Sequence, residues 1–278
     1  MSAAQRTGVA APVSVRPLVE SDLDRADEIF RVAFGTFLGF PEPETFFGTA
    51  DYVRTRWAAD PHAAFAATVE GEVVGSTFAA DWGSVGFFGP LTVRPDLWDQ
   101  GIGRRLMEPV MACFDTWQNS HLGLFTFAHS PKHLELYRRY GFWPRFLTAI
   151  MKKETAARAA APGRVLYGEL TPAERPGALG LSRALTGSVY EGLSLEREIT
   201  ATQAQGLGDT VLLEGPTPTS TVWRSATAGR GRRPVRTCAS SSSAPYALAR
   251  TPGIGSNDCW TRASGWPRRR GWGNWTPV

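Results

Sequence analysis

The stretch RPDLWDQGIGRRLMEPVMACF, residues 94–114, places two glycines, Gly101 and Gly103, at the start of an amphipathic pattern. A short apolar segment, VGFFGPLTV, precedes it directly. Apolar side chains recur at three- and four-residue spacing, which predicts a helix that Pro109 should kink. The face that this spacing predicts to be buried consists of Leu106, Val110, Phe114 and Trp117.

The start of such a helix can bind a phosphate group. Backbone N–H groups in its first turn have no intrahelical acceptor, and the helix dipole adds partial positive charge. Gln100 to Arg105 would supply these groups, while Gly101 and Gly103 leave the approach open. Arg104 and Arg105 could add charge-assisted contacts. The motif alone fits a plain glycine turn with two solvated arginines equally well.

Two common phosphate motifs are excluded by the residues around the glycines. A dinucleotide-binding strand–helix–strand unit needs a third glycine, and Leu106 stands in that position. A P-loop needs Gly-Lys followed by Ser or Thr, which this segment lacks.

The surrounding pattern predicts an α+β domain. VSVRP reads as a strand, residues 21–38 as a helix capped by Ser21, and residues 52–58 as a short helix. Two strands then turn at Glu70-Gly71 and a third ends at Pro95. After the glycine helix come a predicted buried strand LGLFTFAH (122–129), a predicted helix with Ser130-Pro131 as its cap and first turn, and a last strand pair or bent strand over FWPRFLTAIMKK (142–153).

In order and motifs, residues 13–154 resemble the GNAT superfamily of N-acyltransferases. The segment W-D-Q-G-I-G is similar to the family's Q/R-x-x-G-x-G/A pyrophosphate motif, GPLTV to its cofactor-pairing strand, and LYRRYGF to its Y-x-x-x-G-F block. The resemblance implies a mixed, mostly antiparallel central sheet flanked by helices, with acetyl-CoA as cosubstrate and no metal. It implies cofactor binding by Leu91, Thr92, Val93, Asp99, Gln100, Gly101, Ile102, Gly103, Arg104, Arg105, His129 and Ser130.

The resemblance also implies the chemistry. Tyr137 stands where the family's tyrosine lies near the CoA sulfur, and the N–H of Val93 would polarise the thioester carbonyl. Tyr137 could equally be a core aromatic beside Leu134. Two departures are Trp98, where the family has Gln or Arg, and His129-Ser130, where the family often has Asn.

The acceptor amine and its base are less defined. Asp81, His129 and Glu70 are candidate bases, yet each fits a structural or solvated role equally, and deprotonation through water is an alternative. The loop FGTFLGFPEPETFF, with Glu42, Glu44 and the nearby Asp51, could attract a small-molecule or peptide amine, or simply pack on its own phenylalanines. A non-catalytic acyl-CoA-binding module is an alternative that Trp98 and the undefined base favour.

The C-terminal part reads differently. Residues 163–218 repeat the opening strand–helix order and predict a partial second GNAT-like unit without a G-x-G cradle. Residues 219–278 carry ten arginines, five tryptophans and one acid, Asp258. At face value this composition suggests nucleic-acid binding. A reading frame shifted near Gly215–Thr219 is the favoured explanation, since back-translation one base earlier yields a strand-like and then a helix-like pattern. We therefore expect a disordered or frameshifted tail and no nucleic-acid partner.

Composition bounds the remaining expectations. The chain is 42% hydrophobic over 278 residues, enough for a buried core. The three cysteines, Cys113, Cys238 and Cys259, lack metal-ligand or disulfide spacing and are expected to be reduced. With no secretory signal or long apolar run, we expect a cytoplasmic protein with no membrane partner, which could form a homodimer.

Overall fold

The computed structural model describes residues 12–148 and 164–213 with their side chains, and the backbone of 222–227 and 235–237. The strands are β1 Val13–Pro17, β2 Ala64–Val69, β3 Glu72–Trp82, β4 Val85–Val93, β5 His121–Gly123, β6 Arg164–Leu166, β7 Asp209–Leu213, β8 Val222–Thr227 and β9 Val235–Thr237. The helices are α1 Leu23–Leu38, α2 Tyr52–Ala59, α3 Ile102–Trp117, α4 Pro131–Arg138, α5 Arg175–Gly187 and α6 Glu196–Ala204.

The first sheet has the order β1-β2-β3-β4-β5, antiparallel except for the parallel β4–β5 pair. This is the mixed, mostly antiparallel sheet flanked by helices that the sequence predicts. The apolar stripes of α1 and α3 cover its two faces, because neighbouring residues of a strand point to opposite sides. Val73 packs in the cluster with Ile29 and Phe30 of α1, whereas Val74 packs with Leu106 of α3.

The β3–β4 ladder contains a bulge. Thr77 pairs with Leu91 and Ala79 with Phe88, so the single residue Phe78 of β3 lies opposite two residues of β4. On the other side of β4, pairing with β5 covers only Val85–Phe87. Beyond Phe87, the outer edge of β4 has no strand partner within the described residues. The sheet therefore opens between β4 and β5 at the end that leads into α3.

Three local predictions are wrong. Residues 122–129 were expected as a buried strand, but pairing stops at Gly123 and Phe125 is 77% exposed. Without a neighbouring strand, the following backbone has no ladder to join. Residues 142–148 form no strand, with Leu147 89% exposed, and the rest of that predicted strand lies outside the described residues. Ser21 does not cap α1: it lies in a 3-10 turn, and the N-cap is Asp22.

The second sheet has the order β6-β7-β8-β9, all antiparallel. It begins in the predicted second unit, and its strands β8 and β9 come from the Arg/Trp-rich tail. Most of that tail, with Cys238 and Cys259, lies outside the described residues. Whether its reading frame is shifted stays a prediction. None of the described helices is both long enough and apolar enough to cross a membrane.

A half-buried polar network joins the second unit to the first. Arg56 of α2 donates two hydrogen bonds to Glu198 of α6, at 3.0 and 2.9 Å, and the indole Nε1 of Trp82 donates to Glu198 Oε1 at 2.9 Å. Backbone bonds continue the contact, from Ser194 N to the carbonyl of Trp82 and from Ser84 N to the carbonyl of Gly192. The second unit is thus hydrogen-bonded to the β3–β4 hairpin at Trp82 and Ser84.

The same network sets the ionisation of Glu198. Burial would raise the pKa of this carboxyl, but the hydrogen bonds and charge of Arg56 outweigh it, with help from the bond to Trp82, and the pKa is lowered overall. A carboxyl whose pKa is lower in the folded state stabilises the fold above its unfolded pKa. That stabilisation is lost as the pH falls through the folded-state pKa.

We predict that Glu198→Gln lowers the free energy of unfolding by about 1–3 kcal/mol at pH 7, since charge-assisted bonds in a half-buried site are lost. Thermal unfolding followed by circular dichroism between pH 3 and pH 8 measures it. The difference from wild type should shrink as the pH falls through the lowered pKa of Glu198, where the wild-type carboxyl becomes protonated. Glu135→Gln, in an exposed pair with Arg139, is the control and should change stability by less than about 0.5 kcal/mol. Equal effects of the two substitutions would contradict the prediction.

Candidate functional site

The start of α3 presents consecutive free backbone N–H groups. Within the described part of the chain, the amides of residues 99–103 have no acceptor, and the first amides to find one are those of Arg104 and Arg105, which bond to the carbonyl of Gly101. The turn depends on left-handed backbone at Asp99 (φ 64°) and Gly101 (φ 78°). Five adjacent donors at the positive end of a 16-residue helix make this turn a candidate anion site.

Gly103 keeps the space in front of this site open. A Cβ built on Gly103 would lie 3.5 Å from Leu91 of β4 and 3.6 Å from Leu136 of α4, which is ordinary contact. Neither packing nor backbone geometry therefore requires glycine here, because Gly103 has helical backbone. What glycine provides is access to the space between β4 and α4. Ile102, in contrast, is buried beneath the site with Leu106.

The outer edge of β4 leads toward these amides. Arg94 N donates to the carbonyl of Val74 at 2.8 Å, so Arg94 and Val74 are a hydrogen-bonded pair of the antiparallel ladder. Because such pairs alternate, the backbone groups of Thr92 face β3, while those of Leu91 and Val93 face the open edge. The Thr92 side chain is buried and lies 3.3 Å from the hydroxyl of Ser76. The structure thus directs the backbone groups of Leu91 and Val93 to the open edge of the sheet and those of Thr92 toward β3.

Trp98 braces the edge of β4 to the amide turn. Its indole Nε1 donates to the carbonyl of Val93 at 2.7 Å. The departure from Gln or Arg at this position therefore has a structural use, since the indole leaves the N–H of Val93 free while it satisfies the carbonyl. Lys132 of α4 lies over the Trp98 ring at 5.4 Å and forms an ion pair with Asp99 at 2.6 Å.

The charged and polar side chains of the predicted motif have different positions. Arg105 donates to the carbonyl of Val13 at 2.8 Å, which ties α3 to β1. The exposed Arg104 guanidinium makes no hydrogen bond or ion pair to described residues, so it is available to an anion. The side chain of Gln100 reaches the carbonyl of Asp96 at 3.5 Å. Asp99 is acidic, and its pairing with Lys132 removes a repulsion from the anion site.

Helix α4 lies alongside the start of α3. Ser130 is its N-cap, with Oγ accepting from the N–H of His133 at 3.5 Å, and the hydroxyl of Tyr140 donates to the carbonyl of Arg104 at 2.8 Å. The Tyr137 ring meets Phe88 edge-on, with centroids 5.7 Å apart. Burial raises the pKa of Tyr137 to about 12, so the phenol stays protonated near neutral pH. Tyr137 therefore lies beside the β4 bulge as a hydrogen-bond donor with an apolar surround.

The predicted acceptor loop packs on its own aromatic rings. Phe34 and Phe46 stack at 5.4 Å, and a Cβ on Gly35 would overlap the backbone of Pro43, which holds the loop close against α1. The carboxylate of Asp51 caps α2 and forms an ion pair with Arg54. Glu42 and Glu44 are exposed and make no ion pair within the described residues.

The candidate bases differ in what they contact. Asp81 is committed to structure, since it accepts from the N–H of Gly83 at 3.0 Å and from Asn119 at 3.2 Å. Glu70 is exposed in the β2–β3 turn. The His129 ring lies on Phe37 and Phe127, both at 5.8 Å, beside the acceptor loop.

Sequence reasoning missed Lys132 and His133. Both lie in the first turn of α4, whose residues the motif comparison treated only as flanks of Tyr137. One signal was available: Lys132 is one of only three lysines in a chain with 27 arginines. The approach of α4 to Asp99 that gives this lysine its place depends on tertiary packing.

This geometry agrees with the comparison to known families. Residues 26–142 match the family described as Acetyltransferase (GNAT) family. These residues form a GNAT acetyltransferase domain. A GNAT domain is an acyltransferase, and the family implies transfer of an acetyl group from acetyl-CoA. The match covers fewer than half of the 278 residues.

Among solved structures, the chain is similar to a putative acetyltransferase from Pyrococcus horikoshii, with 13% identity, a TM-score of 0.49 and coverage of 77% of this chain and 68% of that one. The ribosomal-protein-S18-alanine N-acetyltransferase from Escherichia coli is 20% identical, with a TM-score of 0.38 and coverage of 47% of this chain and 77% of that one. The PaiA N-acetyltransferase from Thermoplasma acidophilum, in complex with coenzyme A, is 13% identical, with a TM-score of 0.41 and coverage of 46% of this chain and 88% of that one. No curated protein matches the sequence.

We predict that Gly103→Ala weakens binding of CoA by at least ~10-fold, which is about 1.4 kcal/mol, because the methyl group enters the space in front of the free amides. Isothermal titration calorimetry with CoA measures it. The fold itself should be unharmed, or more stable by about 0.5–1 kcal/mol, as alanine replaces glycine in a helix.

The matched control is Gly180→Ala in α5, where a Cβ would meet nothing within 4 Å. It makes the same helical replacement away from the amides and should leave CoA affinity unchanged. Unchanged CoA affinity in Gly103→Ala would show that this space is not used by the cofactor.

Proposed function

We propose that residues 13–154 transfer an acetyl group from acetyl-CoA to a primary amine by direct attack in a ternary complex. The family implies acetyl transfer, and the observation that carries the finer proposal is the row of five free amides next to an unpaired strand edge. The amides suit a pyrophosphate, and the edge suits an extended amide-containing arm. The two lie in the order in which CoA carries these groups.

The binding roles follow from that arrangement. The pyrophosphate would accept hydrogen bonds from the amides of residues 99–103, with Arg104 adding charge. The pantetheine arm would pair with the outward N–H of Val93 and the outward carbonyl of Leu91, because the carbonyl of Val93 already accepts from Trp98. His129 and Ser130 lie at the start of α4, where the arm could reach them, although Ser130 is already engaged as a helix cap.

The catalytic roles use two groups. Of the two residues with outward N–H groups, Leu91 packs in the same cluster as Phe88 and Tyr137, whereas Val93 packs with Ile102 at the amide turn. The N–H of Leu91, rather than that of Val93, would therefore donate to the thioester carbonyl and stabilise the negative charge that develops when the amine attacks. Tyr137 would donate its proton toward the departing sulfur. Its buried phenol is protonated over the whole neutral range, as this role requires. Most of the rate would come from holding the amine against the thioester.

The acceptor is proposed to be a small-molecule or peptide amine. The exposed carboxylates of Glu42 and Glu44, which have no described ion-pair partner, support a cationic acceptor near the end of α1. Residues 163–218 are proposed as a partial second GNAT-like unit that packs on the first. A cytoplasmic location stays a prediction.

A panel of amines tests the function. The readout is release of CoA from acetyl-CoA, measured with a thiol reagent. We expect at least one of four amines to raise this rate above that of the enzyme without an added amine: spermidine, neamine, tyramine or a peptide with a free N-terminal alanine. Mass spectrometry of the product should show one added acetyl group. CoA binding without turnover of any probe would favour a non-catalytic acyl-CoA-binding module.

We predict that Tyr137→Phe lowers kcat by about 100-fold while KM for acetyl-CoA changes little, since phenylalanine keeps the packing against Phe88 and lacks the donor. Steady-state kinetics with the best amine of the panel measure both. Because the pKa of Tyr137 is raised to about 12, wild-type kcat should show no loss between pH 7 and pH 10 from ionisation of this phenol. Tyr190→Phe, in the second unit, is the control and should retain wild-type kcat. A Tyr137→Phe enzyme with wild-type kcat would rule out the role.

A further inference from the structure

His133 lies on the same face of α4 as Tyr137, one turn earlier. Side chains four residues apart on a helix are neighbours, with Cβ atoms about 5–6 Å apart. The adjacent row, Lys132 and Leu136, approaches the amide turn through Asp99 and Gly103. The row of His133 and Tyr137 therefore lies next to the anion site.

The surroundings of His133 connect the two substrate regions. Its ring lies 4.9 Å from Phe37, at the end of α1 where the acceptor loop begins, and 6.1 Å from Phe127. Tyr137, in the same row, contacts Phe88 at the β4 bulge. His133 thus stands between the proposed thiol end of CoA and the proposed acceptor loop.

The imidazole of His133 is uncommitted. Its side chain makes no hydrogen bond within the described residues, and Nδ1 is buried without a partner. Nε2 is consequently the nitrogen that a substrate can reach. Three candidates were named from the sequence. Asp81 is fully engaged, Glu70 lies in the exposed β2–β3 turn, and His129, although its ring also lies on Phe37, is exposed to solvent.

We infer that His133 is the general base that removes a proton from the acceptor ammonium. This inference rests on the proposed acetyl transfer. One ammonium proton passes to Nε2, and the neutral amine attacks the thioester carbon, forming the C–N bond. As the C–S bond breaks, the sulfur takes the proton of Tyr137, and the phenolate recovers a proton from the nitrogen that becomes the amide. The proton on His133 leaves to solvent.

The charges around His133 suit this role. Burial lowers its pKa first, and the nearby Lys132 and His129 lower it further. Asp99 is paired with Lys132, and the neighbouring elements that face the ring contribute the phenyl groups of Phe37 and Phe127. A lowered pKa keeps the imidazole neutral at pH 7, so it can accept a proton. Activity should then fall only as the pH drops through that pKa.

The test is the pH dependence of kcat at saturating substrates, with the best amine of the panel above. We expect wild-type kcat to fall on the acid side, at a pH below the usual histidine range. His133→Gln should reduce kcat by about 100-fold, leave KM for acetyl-CoA within about threefold, and remove the acid limb. Added imidazole should restore part of the rate to His133→Ala. His62→Gln, an exposed histidine before β2, should match wild type.

Several outcomes would overturn the inference. Wild-type kcat in His133→Gln, or a reduced kcat that keeps the acid limb, would assign His133 to packing. Should the variants fail to fold, NMR titration of the His133 imidazole in wild type decides, since its pKa in the free enzyme must coincide with the acid limb of kcat/KM and a mismatch excludes it. Absence of turnover by wild type with every amine would overturn the proposed function and the inference together, whereas turnover without dependence on His133 overturns the inference alone.

Discussion

The site depends on the strand β4 losing its neighbour. Up to Phe87 the strand is an ordinary member of the sheet, and beyond it β5 no longer pairs while the bulge shifts the register against β3. Two residues, Leu91 and Val93, then carry backbone groups with no ladder to complete. Backbone N–H and C=O groups on an unpaired strand edge cost free energy when they are removed from water, unless another group completes their hydrogen bonds. The proposed cofactor arm meets that requirement with the same hydrogen-bonding pattern as a strand.

The brace at Trp98 and the pair between Lys132 and Asp99 solve related problems. The indole satisfies one carbonyl at the end of β4, and the lysine neutralises the one acid in the turn. Together they connect β4, the start of α3 and the start of α4 through side chains. The amide row is thereby pre-organised, and an anion can bind without first ordering the turn.

Much of this could be read from the sequence, and the limits are physical. The buried faces of α1 and α3 follow from helical spacing, and the Glu70-Gly71 turn from its residue types. The glycine turn was recognisable because it needs specific backbone angles. The strand expected at residues 122–129 failed because apolar character does not supply a partner strand. Lys132 and His133 were missed because their neighbours, Asp99 and Phe37, are distant in the chain.

The hydrogen bonds of Trp82 and Ser84 to the second unit have a practical meaning for how the chain is divided. A cut after residue 154 follows the sequence boundary, but it would leave Arg56 without its carboxylate and the indole of Trp82 without an acceptor. The carbonyl of Ser84 also accepts hydrogen bonds from the N–H groups of Ser120 and of His121, the first residue of β5. The β3–β4 hairpin therefore makes hydrogen bonds both to β5 of the first unit and to the second unit. A fragment that keeps these contacts extends through α6, and residues that carry none of the proposed chemistry fix the position of the β3–β4 hairpin.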